Sequence, residues 1–137
     1  MIMNFRSVMV TLLVIMAFQV NAKSLRLASP NGRLAVNIQA DEQLTYSIAF
    51  DEKTVMNPSR IDIDNAYQGK AKASATSHVK TTFATPFYRQ SSVTAEYNEM
   101  TLSLGKGWKV AFRAFDDGIA YRFMCKGKVP ATIADEV

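Results

Sequence analysis

The residues best suited to chemistry lie between Tyr97 and Phe123, in YNEMTLSLGKGWKVAFRAFDDGIAYRF. Three apolar-alternating runs are separated there by two Gly-bearing turns, the pattern of an antiparallel meander. If Asp117-Gly118 forms a two-residue turn, Asp116 pairs with Ile119, and Arg113 then faces Arg122 and Phe112 faces Phe123. A three-residue Gly105-Lys106-Gly107 connection with Gly107 left-handed pairs Leu104 with Trp108, hence Met100 with Phe112 and Glu99 with Arg113. Both turns give the same facing. One face carries Met100, Phe112 and Phe123, beside Leu102, Val110 and Cys125, and Trp108 starts this core-facing row. The other carries Glu99, Arg113 and Arg122 across neighbouring strands. Two arginines side by side repel and call for anions. Glu99 is one, and the row reads first as a charge ladder that caps the sheet or docks another domain.

Other chemistry finds little support. Asp62 and Asp64 share a strand face and Asp116 and Asp117 adjoin on a turn, but neither pair brings the further oxygen ligands that calcium requires. No zinc-ligand spacing, phosphate-cradling loop or GxSxG motif occurs. No two carboxylates are placed to flank a glycosidic bond. Cys125 is the single cysteine, so no internal disulfide can form, and its alternating run makes a buried thiol the expectation. Nothing pairs it with His78, the single histidine. By chemistry alone the chain is not a self-sufficient enzyme.

Around these residues the period is two from Leu25 onward. Leu25 and Leu27 open a strand that ends at Ser29-Pro30-Asn31-Gly32, which suits a type I turn. Leu34, Val36 and Ile38 form a second strand, and Leu44, Tyr46, Ile48 and Phe50 a third. Asp51-Glu52-Lys53 leads to Thr54-Val55-Met56, Pro58 interrupts, and Ile61 and Ile63 alternate with Asp62 and Asp64. Residues 65–89 read as a long irregular connection with one short strand near Val79 to Phe83. Its aromatics Tyr67, Phe87 and Tyr88 could stack on sugars. The fold class expected is all-β, an antiparallel β-sandwich.

The first 22 residues read as a signal peptide: Arg6, an apolar run over residues 7–18, and small residues before a cut after Ala22. That run is too short to span a bilayer core of roughly 30 Å. Cleavage leaves residues 23–137, enough for one domain, and lowers the net charge of +4 by the unit of Arg6. The basic residues are scattered without a run of three, unlike a nucleic-acid footprint. A periplasmic or secreted protein is expected, with no membrane attachment after cleavage.

With the meander in view, the chain resembles the N-terminal domain of glycoside hydrolase family 97, secreted or periplasmic exo-acting α-glucosidases and α-galactosidases. The resemblance runs from Leu27-Ala28-Ser29-Pro30-Asn31-Gly32 through Leu44-Thr45-Tyr46-Ser47-Ile48 and Pro58-Ser59-Arg60. It is most specific at Tyr97-Asn98-Glu99 and over Phe112–Phe123, similar to the family's "fRvydDGvAFRY" signature, and Ala134-Asp135-Glu136 matches a frequent acidic pair. It implies a partial galactose-mutarotase-like supersandwich, incomplete at its C-terminus, that packs against a catalytic (β/α)8 barrel absent from this chain. Calcium is implied for the full-length enzymes, with no ligand in this chain. No catalytic or metal-binding residue carries over. Asn98, Glu99, Arg113, Asp117, Gly118 and Arg122 become scaffold or interdomain positions, and α-linked oligosaccharides are candidate partners. The alternatives are a free-standing carbohydrate-binding module on a mutarotase-like fold and a secreted structural β-protein.

Overall fold

The computed structural model describes residues 23–86, 89, 91–127 and 137. The expected signal peptide, Phe87, Tyr88 and Ala134-Asp135-Glu136 lie outside the described residues. Among the described residues nine strands form two antiparallel sheets. The first runs β1-β2-β3-β4: β1 (Ser24–Ala28), β2 (Leu34–Ala40), β3 (Leu44–Phe50) and β4 (Lys53–Arg60). Each turn has a local cause. Ser29 to Gly32 closes with a 2.9 Å bond from the Gly32 N–H to the Ser29 carbonyl, and Gly32 takes φ +75°. The Asn31 carboxamide oxygen accepts from the Ser29 hydroxyl and the Arg33 N–H. Between β3 and β4, Asp51 and Glu52 both adopt positive φ, 46° and 65°, the requirement of a two-residue type I′ hairpin.

Pro58 interrupts the pairing as expected, with a register shift between Met56 and Ser59, but it does not end β4, because β4 is the edge strand of its sheet and an edge tolerates a residue without an N–H. Nor do Ile61 and Ile63 sit on a strand with Asp62 and Asp64 sharing a face. Asp64 and Asn65 make a left-handed turn, φ 48° and 50°, that drives both isoleucines into the core. Asp62 is only 7 % exposed. Its Oδ1 accepts the N–H groups of Ile63 (2.9 Å) and Tyr67 (3.2 Å), which anchors the turn from inside.

The second sheet is built on the long strand β7 (Ser92–Gly105), with β8 (Trp108–Ala114) and β9 (Ile119–Cys125) following on one side. On the other side β6 (Ser77–Ala84) pairs its N-terminal half and β5 (Lys72–Ala73) its C-terminal half. Residues 65–89 thus contain the strand expected near Val79 to Phe83, longer than expected, and the two-residue β5, within otherwise irregular chain. β6 is twice exposed, on both faces, so its Ser, Thr and Lys residues show no apolar alternation even though they are paired throughout.

The β7–β8 register agrees with expectation at Glu99–Arg113 and Met100–Phe112. The turn is shorter than expected. Gly105, not Leu104, pairs with Trp108 after an irregularity, leaving Lys106 (φ 51°) and Gly107 (φ 80°) as a type I′ pair. The β8–β9 register differs by two residues: Arg113 faces Ala120, Phe112 faces Tyr121 and Arg122 faces Ala111. The Asp117-Gly118 turn is a four-residue loop, residues 115–118, closed by the Phe115 N–H on the Gly118 carbonyl at 2.8 Å.

The sheets bury one core between them. Leu27, Val36, Ile38 and Leu44 from the first meet Met100, Leu102, Val110 and Phe112 from the second. Each large side chain contributes roughly 1.5–3 kcal/mol on burial. Tyr46 crosses the interface to stack against Phe112 (6.0 Å between centroids) and Tyr121 (5.6 Å). Coverage ends at the β9 margin, where Tyr121 is 39 % exposed. Cys125, expected buried, is exposed there, because the first sheet does not extend over this end of β9.

Candidate functional site

Alternation along β7 and β8 sends Glu99 and Arg113 to the outer face of the second sheet, opposite the core. Their direct pairing brings the Arg113 Nε–H to the Glu99 carboxylate at 2.5 Å, and both side chains are partly buried. The guanidinium also lies 4.6 Å from the centre of the Tyr97 ring, a cation–π contact. Tyr97 in turn packs on Phe115 at 5.0 Å. Arg113 is thus fixed by an ion pair and an aromatic face while its remaining donors stay available.

Arg122 shares this outer face but does not complete the expected row. It stands opposite Ala111, and Arg113 is opposite Ala120, so the two cations are offset by two residues along β9 and the anticipated direct repulsion does not arise. Between them Ala111 and Ala120 floor a small hollow of about 90 Å³, lined also by Arg113, Tyr121 and Arg122.

Asn98 points the opposite way, into the seam between the sheets. Its Nδ2 donates to the Ala28 carbonyl at the end of β1 (2.8 Å), and its Oδ1 meets His78 Nδ1 on β6 (2.8 Å). Asp117 is exposed in the 115–118 loop. Gly118 is not in the left-handed region, and a Cβ there would meet nothing within 4 Å, so its part is the carbonyl that closes the loop.

Two side chains make contacts between strands that the sequence did not point to. Asp116 accepts the Asn31 N–H at 2.9 Å, tying the β8–β9 loop to the β1–β2 turn of the other sheet. His78 bridges Asn98 and Glu96, with Nε2 3.3 Å from the Glu96 carboxylate. Glu96 also takes the Lys80 ammonium at 3.0 Å, and this hydrogen bond, reinforced by the charges of Lys80 and His78, holds its carboxyl below the usual carboxylate range. No sequence spacing marks these contacts, since they join different strands. His78 and Cys125 sit on β6 and β9, three strand spacings apart and in different rows of the sheet, since His78 shares its row with Asn98, Ala114 and Ile119 while Cys125 pairs with Trp108.

Among the described residues no three His, Cys, Asp or Glu side chains converge on a point that could hold a metal ion. The face does supply directed hydrogen-bond donors and shape: the Arg113 fork, the Arg122 guanidinium and a shallow floor.

An antiparallel β-sandwich whose polar cross-links join its two sheets is the class of protein these features define. The chain belongs to the Glycosyl-hydrolase 97 N-terminal family, whose model matches residues 27–137. It is 41 % identical over 121 residues to a retaining alpha-galactosidase of Bacteroides thetaiotaomicron, covering 84 % of this chain and 18 % of that protein. The chain thus spans about a fifth of the length of that relative. Its fold is similar to that of a Glycoside Hydrolase Family 97 enzyme from Pseudoalteromonas sp. strain K8, solved in complex with panose, at TM-score 0.60 and 24 % identity. That match covers 74 % of this chain and 17 % of the other. A beta-arabinopyranosidase crystal structure matches at 22 % identity over 72 % of this chain and 18 % of its own.

Proposed function

We propose that residues 23–137 serve as a non-catalytic β-sandwich domain of a secreted family-97 glycoside hydrolase of the exo-α-glucosidase or α-galactosidase type, packing against its catalytic barrel and supporting it. The observation that carries this reading is Arg113. A guanidinium held by Glu99 and Tyr97 on an outer sheet face, with donors still directed outward, is a preorganised docking group. Family membership, and the small share of a much longer relative that the chain spans, supply the partner. The leader over residues 1–22 supplies secretion.

The test uses the 41 %-identical alpha-galactosidase, with alanine at the position aligned to Arg113. The expected result is a lower melting temperature or loosened domain association, with kcat/KM per folded molecule retained. An unchanged melt with a raised KM alone overturns the docking role.

A further inference from the structure

The lysines are scattered in sequence, yet the fold gathers several of them at one end of the second sheet. Lys106 lies in the β7–β8 turn and Lys109 in the strand after it. Lys126 is bonded back to that turn, its N–H on the Gly107 carbonyl at 3.1 Å. Lys72 is on β5, paired with Ser103, and Ser103 pairs in turn with Lys109. Lys70 is two residues before Lys72, next to the segment whose Gln68 approaches Gly105. Among the described residues none of these five enters an ion pair; every ion pair lies elsewhere. Asp41 and Glu42 lie in the β2–β3 turn of the other sheet. Lys23 adjoins them, its backbone carbonyl accepting the Ala40 N–H, and donates its ammonium to the Ala71 carbonyl.

The row Lys72–Ser103–Lys109 crosses three adjacent strands on the outer face, so the two lysine Cα atoms stand about 10 Å apart with a hydroxyl between them. Where the row four residues back along β7 sets Glu99 against Arg113, this one has no carboxylate. An open depression of about 430 Å³ occupies the place, lined by Lys72, Ala73, Ser74, Thr101, Ser103 and Lys109. The Ser74 hydroxyl is committed, accepting from the Thr101 N–H at 3.0 Å and donating to the Ala75 carbonyl. The hydroxyls of Thr101 and Ser103 and both ammonium groups have no protein partner among the described residues.

We infer that this depression binds an acidic saccharide, with the sugar carboxylate between the Lys72 and Lys109 ammonium groups and its hydroxyls against Thr101 and Ser103. Two converging ammonium groups suit a carboxylate, and charge-assisted bonds are about twice as strong as neutral ones. The volume lies within the usual range for small-ligand sites, roughly 300–1,000 Å³. The lining contains no aromatic ring on which a nucleic-acid base could stack and no large apolar side chain to enter a bilayer. This site is independent of the docking role of Arg113, and the two are tested on different proteins.

The full chain is titrated calorimetrically at low salt with trigalacturonic acid, and in parallel with maltotriose, sodium sulfate and phosphatidylglycerol vesicles. Trigalacturonate is expected to bind, to weaken as salt rises, and to lose about tenfold or more in affinity in a Lys72→Met/Lys109→Met variant. Thr101→Val/Ser103→Ala is expected to weaken trigalacturonate but not sulfate. Amide shifts in the unaltered chain are expected to cluster at Ser74, Thr101 and Ser103, which keeps the test decisive if a variant misfolds. Equal binding by the double-lysine variant, equal affinity for maltotriose or sulfate, retention on vesicles without trigalacturonate binding, or shifts confined elsewhere would each overturn the assignment.

Discussion

The Asp116 carboxylate accepts the backbone N–H of Asn31 at 2.9 Å, across 85 positions of sequence and from one sheet to the other. Both residues belong to stretches that look like turns for purely local reasons. Their contact shows why the 115–118 loop is four residues long: a tight Asp117-Gly118 hairpin would form two residues later along the strands than the loop seen. A few positions away Asn98 makes a second cross-link, to the Ala28 carbonyl just before the same turn. The two bonds clasp the sheets at one end.

Removing either clasp therefore destabilises the sandwich. Asn98→Ala loses a donor to Ala28 and the partner of His78, an expected cost of about 2 kcal/mol. Asp116→Ala is expected to cost about 1 kcal/mol and Asp116→Asn less, since one acceptor oxygen remains. Asp117→Ala, in the same loop, is expected to stay within about 0.5 kcal/mol of the parent. Urea unfolding of the four variants checks the ranking, and equal losses for Asp116→Ala and Asp117→Ala would contradict the clasp.

Phe112 is wholly buried at the centre of the two-sheet core, whereas Tyr121, its cross-strand neighbour, is only partly covered. Phe112→Ala is expected to cost about 3–5 kcal/mol, a large share of the stability of an ordinary domain. Tyr121→Ala should cost less than half as much. Denaturation midpoints at an unchanged m-value measure both.

Three turns offer a test of left-handed backbone. Glu52 sits at φ 65° with its side chain largely in solvent, bonded only to Arg26. Glu52→Gly should stabilise by about 0.5–1 kcal/mol, because an exposed ion pair contributes little against relief of a left-handed residue. Gly107→Ala should destabilise more than Gly32→Ala. Both glycines have positive φ, but only at Gly107 would a new Cβ come within 3.2 Å of the Lys126 carbonyl oxygen, whereas Gly32 opens onto free space. Thermal melts of the three single variants decide it.

The pH profile should fall at both ends. Hydrogen bonds from Lys80 to Glu96 and from Arg33 to Asp51 hold both carboxyl groups below their ordinary values. A depressed carboxyl stabilises the fold above its unfolded pKa of about 4, and that stability is lost as pH falls through the folded value. Lys80→Met should flatten the acid limb. Burial, with the charge of Asp41, raises the Tyr67 hydroxyl, which donates to the Asp41 carbonyl. Its contribution is complete below about pH 10 and lost as pH rises through the folded value, so Tyr67→Phe should flatten the alkaline limb. Melting temperatures between pH 2 and 11 give both limbs.

Edge strands β4 and β6 carry Val55, 63 % exposed, and Phe83, 48 % exposed, on ladders with an unpaired side among the described residues. Unprotected apolar edges invite edge-to-edge pairing. Residues 23–137 should self-associate in sedimentation, and a Val55→Lys/Phe83→Lys variant should shift the distribution toward monomer. A sharp two-state melt of a monomeric parent would contradict this.

Much of this protein was determined by local pattern. Apolar alternation located β1 to β3 and β7 to β9, and the pleat assigned Met100, Phe112 and Phe123 to the core and Glu99, Arg113 and Arg122 to the other face. All six are on those faces. The Phe112–Phe123 signature and the Ser29–Gly32 turn pointed to the family that the match over residues 27–137 shows. What alternation could not determine is a slip of two. A shift of one residue turns every side chain to the wrong face, but a shift of two keeps each on its own side, so the sequence is silent between Arg113 facing Arg122 and Arg113 facing Ala120. Only the tie from Asp116 to Asn31 and the packing of Phe112 on Tyr121 chose. The same holds for the full extent of β6, whose exposed faces leave little periodicity beyond the short strand expected near Val79 to Phe83, for Asp62, whose burial comes from a turn wrapped around it, and for Cys125, left exposed at the end of β9. The basic end of the second sheet is the plainest case. Lysines distant in sequence become neighbours only when strands pair, and pairing is a property of the whole chain.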